Sequence, residues 1–239
     1  MGQIITIARR ELSSQFFSPI AYVVIGVFGF GSALIFDLHF QSGAAASLQM
    51  TFSGLVWLMI FLAPAISMRL ISEEFRSGTA ELLMTAPISD TEIVLGKWLG
   101  AMGFLAAMFV PLVLLALVLE WNGSPDWGPI LVGLLGLILV GGLYLAIGTF
   151  ASSLSQNQIV AFIVTVFIVC IFTIAMFFLP QASWVPTGLG RAMLYINVNQ
   201  QFDTFNKGLL VLPNVIFFLS GIVLFLFLAV KKIESRRWR

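Results

Sequence analysis

The residues able to carry chemistry are few. His39 is the only histidine. With Asp37 two residues earlier it could form a proton or metal half-site, but the plainer reading is a cap at the end of a helix. A single imidazole excludes His-based metal centres and catalytic pairs of histidines. Cys170, the only cysteine, lies between Val169 and Ile171; no intrachain disulfide can form, and an apolar setting suits inert packing rather than reactivity. Ser67 and Ser220 carry hydroxyls, but a serine nucleophile needs a base facing it, and no buried base is available. That disfavours an intramembrane protease. Gly96-Lys97 runs on into Trp98 and lacks the GxxxxGK[ST] frame, so the chain is not expected to bind ATP in the P-loop manner. What remains is the polar stretch 69–92, with Glu73, Glu74, Glu81, Asp90 and Glu92 among the 11 acidic residues. Its chemistry is recognition rather than catalysis.

Within that stretch Glu73 to Arg76 are charged around Phe75, and Gly78 breaks the pattern. Thr79 is placed to cap a short second helix, in which Leu82, Leu83 and Ala86 share a side, Glu81 lies off it and Pro87 ends the run. Ser89 to Glu92 reads as a capping box that starts the next helix. An ordinary solvated loop between two spans is the bland alternative. Two short helices with an apolar knob ringed by charge are instead what a protein contact uses.

The elements that must position this stretch are membrane helices. Hydrophobic residues make up 59% of the 239 and charged ones 10%, with mean hydropathy +1.03. Soluble domains average roughly 45–50% apolar and about 25% charged, so the fold class is an all-α integral membrane protein. The net charge is +1, and the basic residues form no aromatic-interleaved stripe, which excludes a nucleic-acid partner. Residues 3–17 put Ile5, Ala8, Leu12 and Phe16 at helical spacing, with Arg9, Arg10, Glu11 and Ser13 elsewhere around the axis. This predicts an amphipathic interfacial helix over 1–18 rather than a cleaved signal peptide. Six spans are expected over 19–36, 52–71, 93–119, 128–154, 159–179 and 209–230. Gly96 and Gly100 stand in GxxxG spacing, and Gly133, Gly136, Gly141 and Gly142 lie in the fourth span, where small residues let helices approach closely.

No charged residue falls in the middle of a span, which argues against an ion-coupled carrier. Lysine and arginine set the orientation. Arg9, Arg10, Arg69, Arg76, Lys97, Lys231, Lys232, Arg236, Arg237 and Arg239 gather on one side, against Arg191 and Lys207 on the other. Both termini and the insert over 72–92 are therefore expected in the cytoplasm. On the outside, 180–208 is too apolar for a free loop. Phe202 and Phe205, three apart, should face the bilayer or the sixth span, in a re-entrant segment built of short helices.

These features together resemble the ABC-2-type permeases, the membrane part of ATP-binding-cassette exporters, and most closely a gliding-motility-like branch. The resemblance rests on Arg9-Arg10-Glu11-Leu12 with Phe17 to Tyr22, and on Ile71 to Thr79 followed by Glu81-Leu82-Leu83. Thr85 to Ser89, Gly96-Lys97, and Phe202, Phe205 and Gly208 complete it. Asn199-Gln200-Gln201-Phe202 stands where that branch would carry a His-Phe pair. The resemblance implies an exporter permease, not itself an enzyme, in a bacterial inner membrane. It further implies a separate ATPase subunit that carries the ATP and magnesium, a second permease copy or sister subunit, and a possible periplasmic or membrane auxiliary subunit. In this reading Glu73, Glu74, Phe75, Arg76, Thr79, Glu81, Leu82 and Leu83 meet the ATPase as a coupling helix. The alternative is a membrane scaffold or force-transmitting subunit that anchors its ATPase without transporting.

Overall fold

The computed structural model describes residues 2–40, 47–79 and 88–237. They form helices α1 (Gly2–Phe16), α2 (Pro19–His39), α3 (Gln49–Ser67), α4 (Ser72–Ser77), α5 (Asp90–Met108), α6 (Val110–Asn122), α7 (Trp127–Leu154), α8 (Gln158–Cys170), α9 (Met176–Phe178), α10 (Thr187–Ile196), α11 (Val198–Asn206) and α12 (Leu212–Arg237). Among the described residues six helical runs are long and apolar enough to cross a membrane: Pro19–His39, Gln49–Ser77, Asp90–Trp121, Trp127–Leu154, Gln158–Gln181 and Leu212–Ser235.

Local chemistry fixes where the helices begin. Ser89 and Glu92 form the expected reciprocal capping box at α5, with the Ser89 amide 3.1 Å from Glu92 Oε2. Asp126 accepts from the Gly128 amide at α7, Asn157 from Ile159 at α8, and Asn197 from Gln200 at α11. The third run breaks at Phe109, because Pro111 in the first turn of α6 cannot donate to the helix ladder. In the fifth run a π-turn over Ile171–Ala175 follows α8. The sixth span begins at Leu212 rather than at the expected 209. Gly208 turns the chain with φ +79°, three residues stay outside any helix, and Pro213 then suits the first turn of α12.

Helix α7 is the axis of the bundle, with α3, α5, α8, α11 and α12 packed around it. Its small residues permit this. A Cβ on Gly133 would lie 2.6 Å from the Phe52 ring of α3, and one on Gly136 would lie 2.7 Å from Phe205 Cβ of α11. The Gly96–Gly100 pair serves a different partner, α1. A Cβ on Gly96 would come within 2.7 Å of Ile7, on Gly100 within 2.6 Å of Glu11, and on Gly103 within 3.3 Å of Leu12. The residue numbers rise together, so α1 runs alongside α5 in the same direction, and Phe16 meets Phe104 edge-on at 5.3 Å.

That packing turns α1 from its expected setting. Ile4, Ile7, Ala8, Glu11, Leu12, Gln15 and Phe16 face the bundle, whereas Ile5 is 67% exposed. The apolar stripe alone misplaces Ile5 and Glu11, because a charged partner on α5 sets the rotation of the helix.

Prediction: Gly136→Leu overpacks the α7–α11 contact and lowers the thermal unfolding midpoint in detergent, at a cost of about 1–3 kcal/mol. Gly188→Ala, inside α10 where a Cβ would meet nothing within 4 Å, should not lower it.

Candidate functional site

Lys97 is the centre of the site. It lies two turns into α5, and its side chain is 6% exposed. Its Nζ donates to Glu11 Oε2 of α1 at 3.2 Å and pairs with Glu74 Oε1 of α4 at 2.9 Å. One ammonium thus ties three helices that are far apart in sequence. A buried cation is costly unless paired and hydrogen-bonded. Here two carboxylates, 13% and 22% exposed, satisfy it. α1 is held to the end of α3 and the turn after it as well, since Gln15 reaches the Ile66 carbonyl and Arg69 Nη2 donates to the Ser14 carbonyl at 3.0 Å.

The start of α4 has its own anchor. The Ser152 hydroxyl, near the end of α7, accepts from the Ile71 and Ser72 amides at 3.0 and 2.9 Å and donates to the Met68 carbonyl at 3.0 Å. One donor and two acceptors exhaust that hydroxyl. The turn between α3 and α4 is thereby fixed to the axial helix, and Gly78, at φ +72°, ends α4 in the left-handed conformation. Between α1 and α4 lies an open cleft of about 190 Å³, lined by Arg10, Ser14, Arg69, Glu73, Ser77 and Thr79 beside the ionic junction.

The expected contact residues divide on this scaffold. Glu73, Arg76 and Thr79 are exposed; Phe75 is half-buried against the core; Glu74 turns inward to Lys97. Glu81, Leu82 and Leu83 lie outside the described residues, as does the rest of 80–87. Sequence reasoning placed Lys97 among the side-setting charges and did not see its role, nor those of Glu11 and Ser152. The one signal available was a lysine beside a GxxxG pair.

At the opposite end, Phe202 and Phe205 are buried against Gly136, and Phe205 also meets Phe218 of α12 at 5.9 Å. A Cβ on Gly208 would stand 3.0 Å from the Pro129 ring, so α7 and the α11–α12 turn approach closely there. The π-turn matters here as well: Asn197 Nδ2 donates to the Thr173 carbonyl at 2.8 Å, inside a segment whose regular α-helical bonding has been given up.

The family model described as ABC-2 family transporter protein matches residues 13–212, which span every element from the end of α1 to the start of α12. The chain belongs to the ABC-2 transporter family. Proteins of this family are membrane components of ABC transporters, not the ATPases themselves, and in general work with an ATP-binding subunit. With six apolar helical runs, this member is a multi-pass membrane protein. A comparison with curated proteins gave no match.

Prediction: Lys97→Met alone leaves two part-buried carboxylates without their cation and lowers the thermal midpoint, at a cost below the about 3–5 kcal/mol of a fully buried pair because both carboxylates line the open cleft. Glu11→Gln, Lys97→Met and Glu74→Gln combined remove the whole charge set and should restore most of the thermal midpoint. Equal losses from the single and triple variants would contradict this.

Proposed function

We propose that the chain is the permease of an ABC exporter whose separate ATPase subunit docks beside α4, and that the Glu11–Lys97–Glu74 junction carries the motion of that subunit into the membrane. The observation that carries this reading is the junction itself. A helix of six residues has little stability of its own, so α4 can transmit force only through what holds it. Lys97 and Ser152 supply that hold. A push on α4 then reaches α1 and α5 through Lys97, and α7 through Ser152.

In this reading the positively charged end of the bundle is cytoplasmic, in the inner membrane of a bacterium. α1 runs beside the cytoplasmic part of α5 at the inner leaflet. Glu73, Phe75, Arg76, Thr79, Glu81, Leu82 and Leu83 form the docking face, while Glu74 positions it from behind. The residues over 71–79 and 85–89 carry the likeness to the ABC-2 permeases as a whole, and within them the chain most resembles the gliding-motility-like branch. A second copy or a sister permease would complete the path between the spans, and an auxiliary subunit would join from the membrane or the periplasm. Nucleotide and magnesium stay in the ATPase. The segment over 180–208 would sit at the outer leaflet.

Prediction: Leu83→Asp with Arg76→Glu abolishes co-purification of the ATPase in mild detergent while the helical circular dichroism is retained. The Glu11→Gln, Lys97→Met, Glu74→Gln triple variant behaves differently: the ATPase remains bound, but its turnover no longer responds to the permease. Unchanged coupling in that folded variant would sink the mechanism and leave a scaffold that merely holds its partner.

A further inference from the structure

A groove of about 360 Å³ lies between the start of α5 and the second half of α12, at the end of the bundle that carries the ionic junction. Gly96, Gly100 and Gly103 turn one side of α5 to α1. Thr91, Val94 and Leu95 lie on the other side and form one wall of the groove; Val223, Leu226, Phe227 and Val230 of α12 form the second. Val94, Leu226 and Val230 are buried, whereas Val223 and Phe227 stand open at its edge. From Val223 to Lys231 the groove follows α12 for about 12 Å, at about 1.5 Å per residue. It is apolar along this length and charged only at its mouth, where Lys231 and Glu234 face Thr91. Two membrane-crossing runs build it, so hydrocarbon covers its apolar length.

The mouth decides which head accompanies that hydrocarbon. Lys231 Nζ pairs with Glu234 Oε2 at 2.7 Å and stands 5.7 Å from the centre of the Phe227 ring. The pair fixes both charges at the edge of the groove and exhausts neither, since an ammonium has three hydrogens and a carboxylate two oxygens. A lone anion brought there meets Glu234, and a lone cation meets Lys231. A zwitterion finds an opposite charge for each of its ends. Lys232 does not line the groove, being about 100° further round the helix. We propose that the groove holds one phospholipid of the phosphatidylethanolamine class. An acyl chain lies along Val94, Leu226 and Val230; the phosphate accepts from Lys231 and the Thr91 hydroxyl; the primary ammonium donates to Glu234. The trimethylammonium of phosphatidylcholine has no N–H to donate, and phosphatidylglycerol brings no cation to Glu234. Placing this lipid in the cytoplasmic leaflet rests on the orientation proposed above; its recognition chemistry does not.

The test titrates the full chain, stripped of lipid in an uncharged detergent, with phosphatidylethanolamine, phosphatidylcholine and phosphatidylglycerol of identical acyl chains. Native mass spectrometry counts the lipids bound to each copy. The expected result is one saturable site that takes phosphatidylethanolamine about tenfold more tightly than the other two, the worth of one charge-assisted hydrogen bond. Glu234→Gln should bring phosphatidylethanolamine to the level of phosphatidylcholine and leave phosphatidylcholine unchanged. Lys231→Gln should weaken all three lipids about tenfold, because each carries the phosphate. Lys232→Gln, the same charge change outside the lining, should alter nothing. The three side chains lie at the surface end of α12, and equal thermal midpoints would show that the variants fold. Equal binding of the three lipids, tighter binding of phosphatidylglycerol, or a Glu234→Gln variant that keeps the preference would overturn the proposal. So would a dimer that retains no such lipid, the result expected if a second copy covered the groove. None of these results bears on ATPase coupling, so the two readings fail independently.

Discussion

A single lysine almost wholly withdrawn from water governs the charged end of this molecule. Lys97 is buried within an apolar span, and its charge is tolerable there only because Glu11 and Glu74 come to it from two other helices. The requirement runs in both directions. It rotates α1 so that an acidic residue faces the bundle at the expense of an isoleucine, and it pulls the short α4 against the start of the third span. The glycines at 96, 100 and 103 allow α1 close enough for Glu11 to reach Nζ. Ion pair and helix contact therefore depend on one another: without the close approach the carboxylate is out of range, and without the carboxylate the lysine has no place in the packed interface.

The axial helix links this junction to the other end of the bundle. Ser152, near one end of α7, fixes the turn into α4, while Gly133 and Gly136, toward the other, seat Phe52 and Phe205. A displacement of α4 is thus applied to a helix whose far half is wedged by the aromatic residues of α3 and α11. The π-turn at Ile171–Ala175, the break before Pro111 and Pro64 inside α3 are places where the surrounding helices depart from regular bonding. Such irregularities are where long helices bend.

Much of the architecture was legible in the sequence, because the signals were strong and local. Hydropathy marked all six apolar runs, and the Ser89–Glu92 capping box, the Gly78 stop and the small residues facing close neighbours followed from local rules. The rotation of α1 was not legible, since an amphipathic pattern weighs apolar residues and cannot anticipate that Glu11 will be drawn inward by a lysine 86 residues away. Lys97 was read as a charge that orients the chain; its pairing is tertiary and leaves no trace in local spacing. Ser152 looked like part of a polar connection because a serine that caps another element's backbone is indistinguishable, in sequence, from one that faces solvent. The contact role proposed for Glu81, Leu82 and Leu83, which lie outside the described residues, rests on their sequence pattern and on the family resemblance.

The central claim is that α1, α4 and α5 move as one piece because Lys97 binds them. It is tested most directly by pulsed electron-spin distance measurements on the ATPase-bound complex, with labels at the exposed positions Ser13, Ser77 and Ser235. Addition of ATP should leave the Ser13–Ser77 distance unchanged while both distances to Ser235 on α12 shift together. A Ser13–Ser77 distance that changes with nucleotide while the ion pairs are intact would contradict the account.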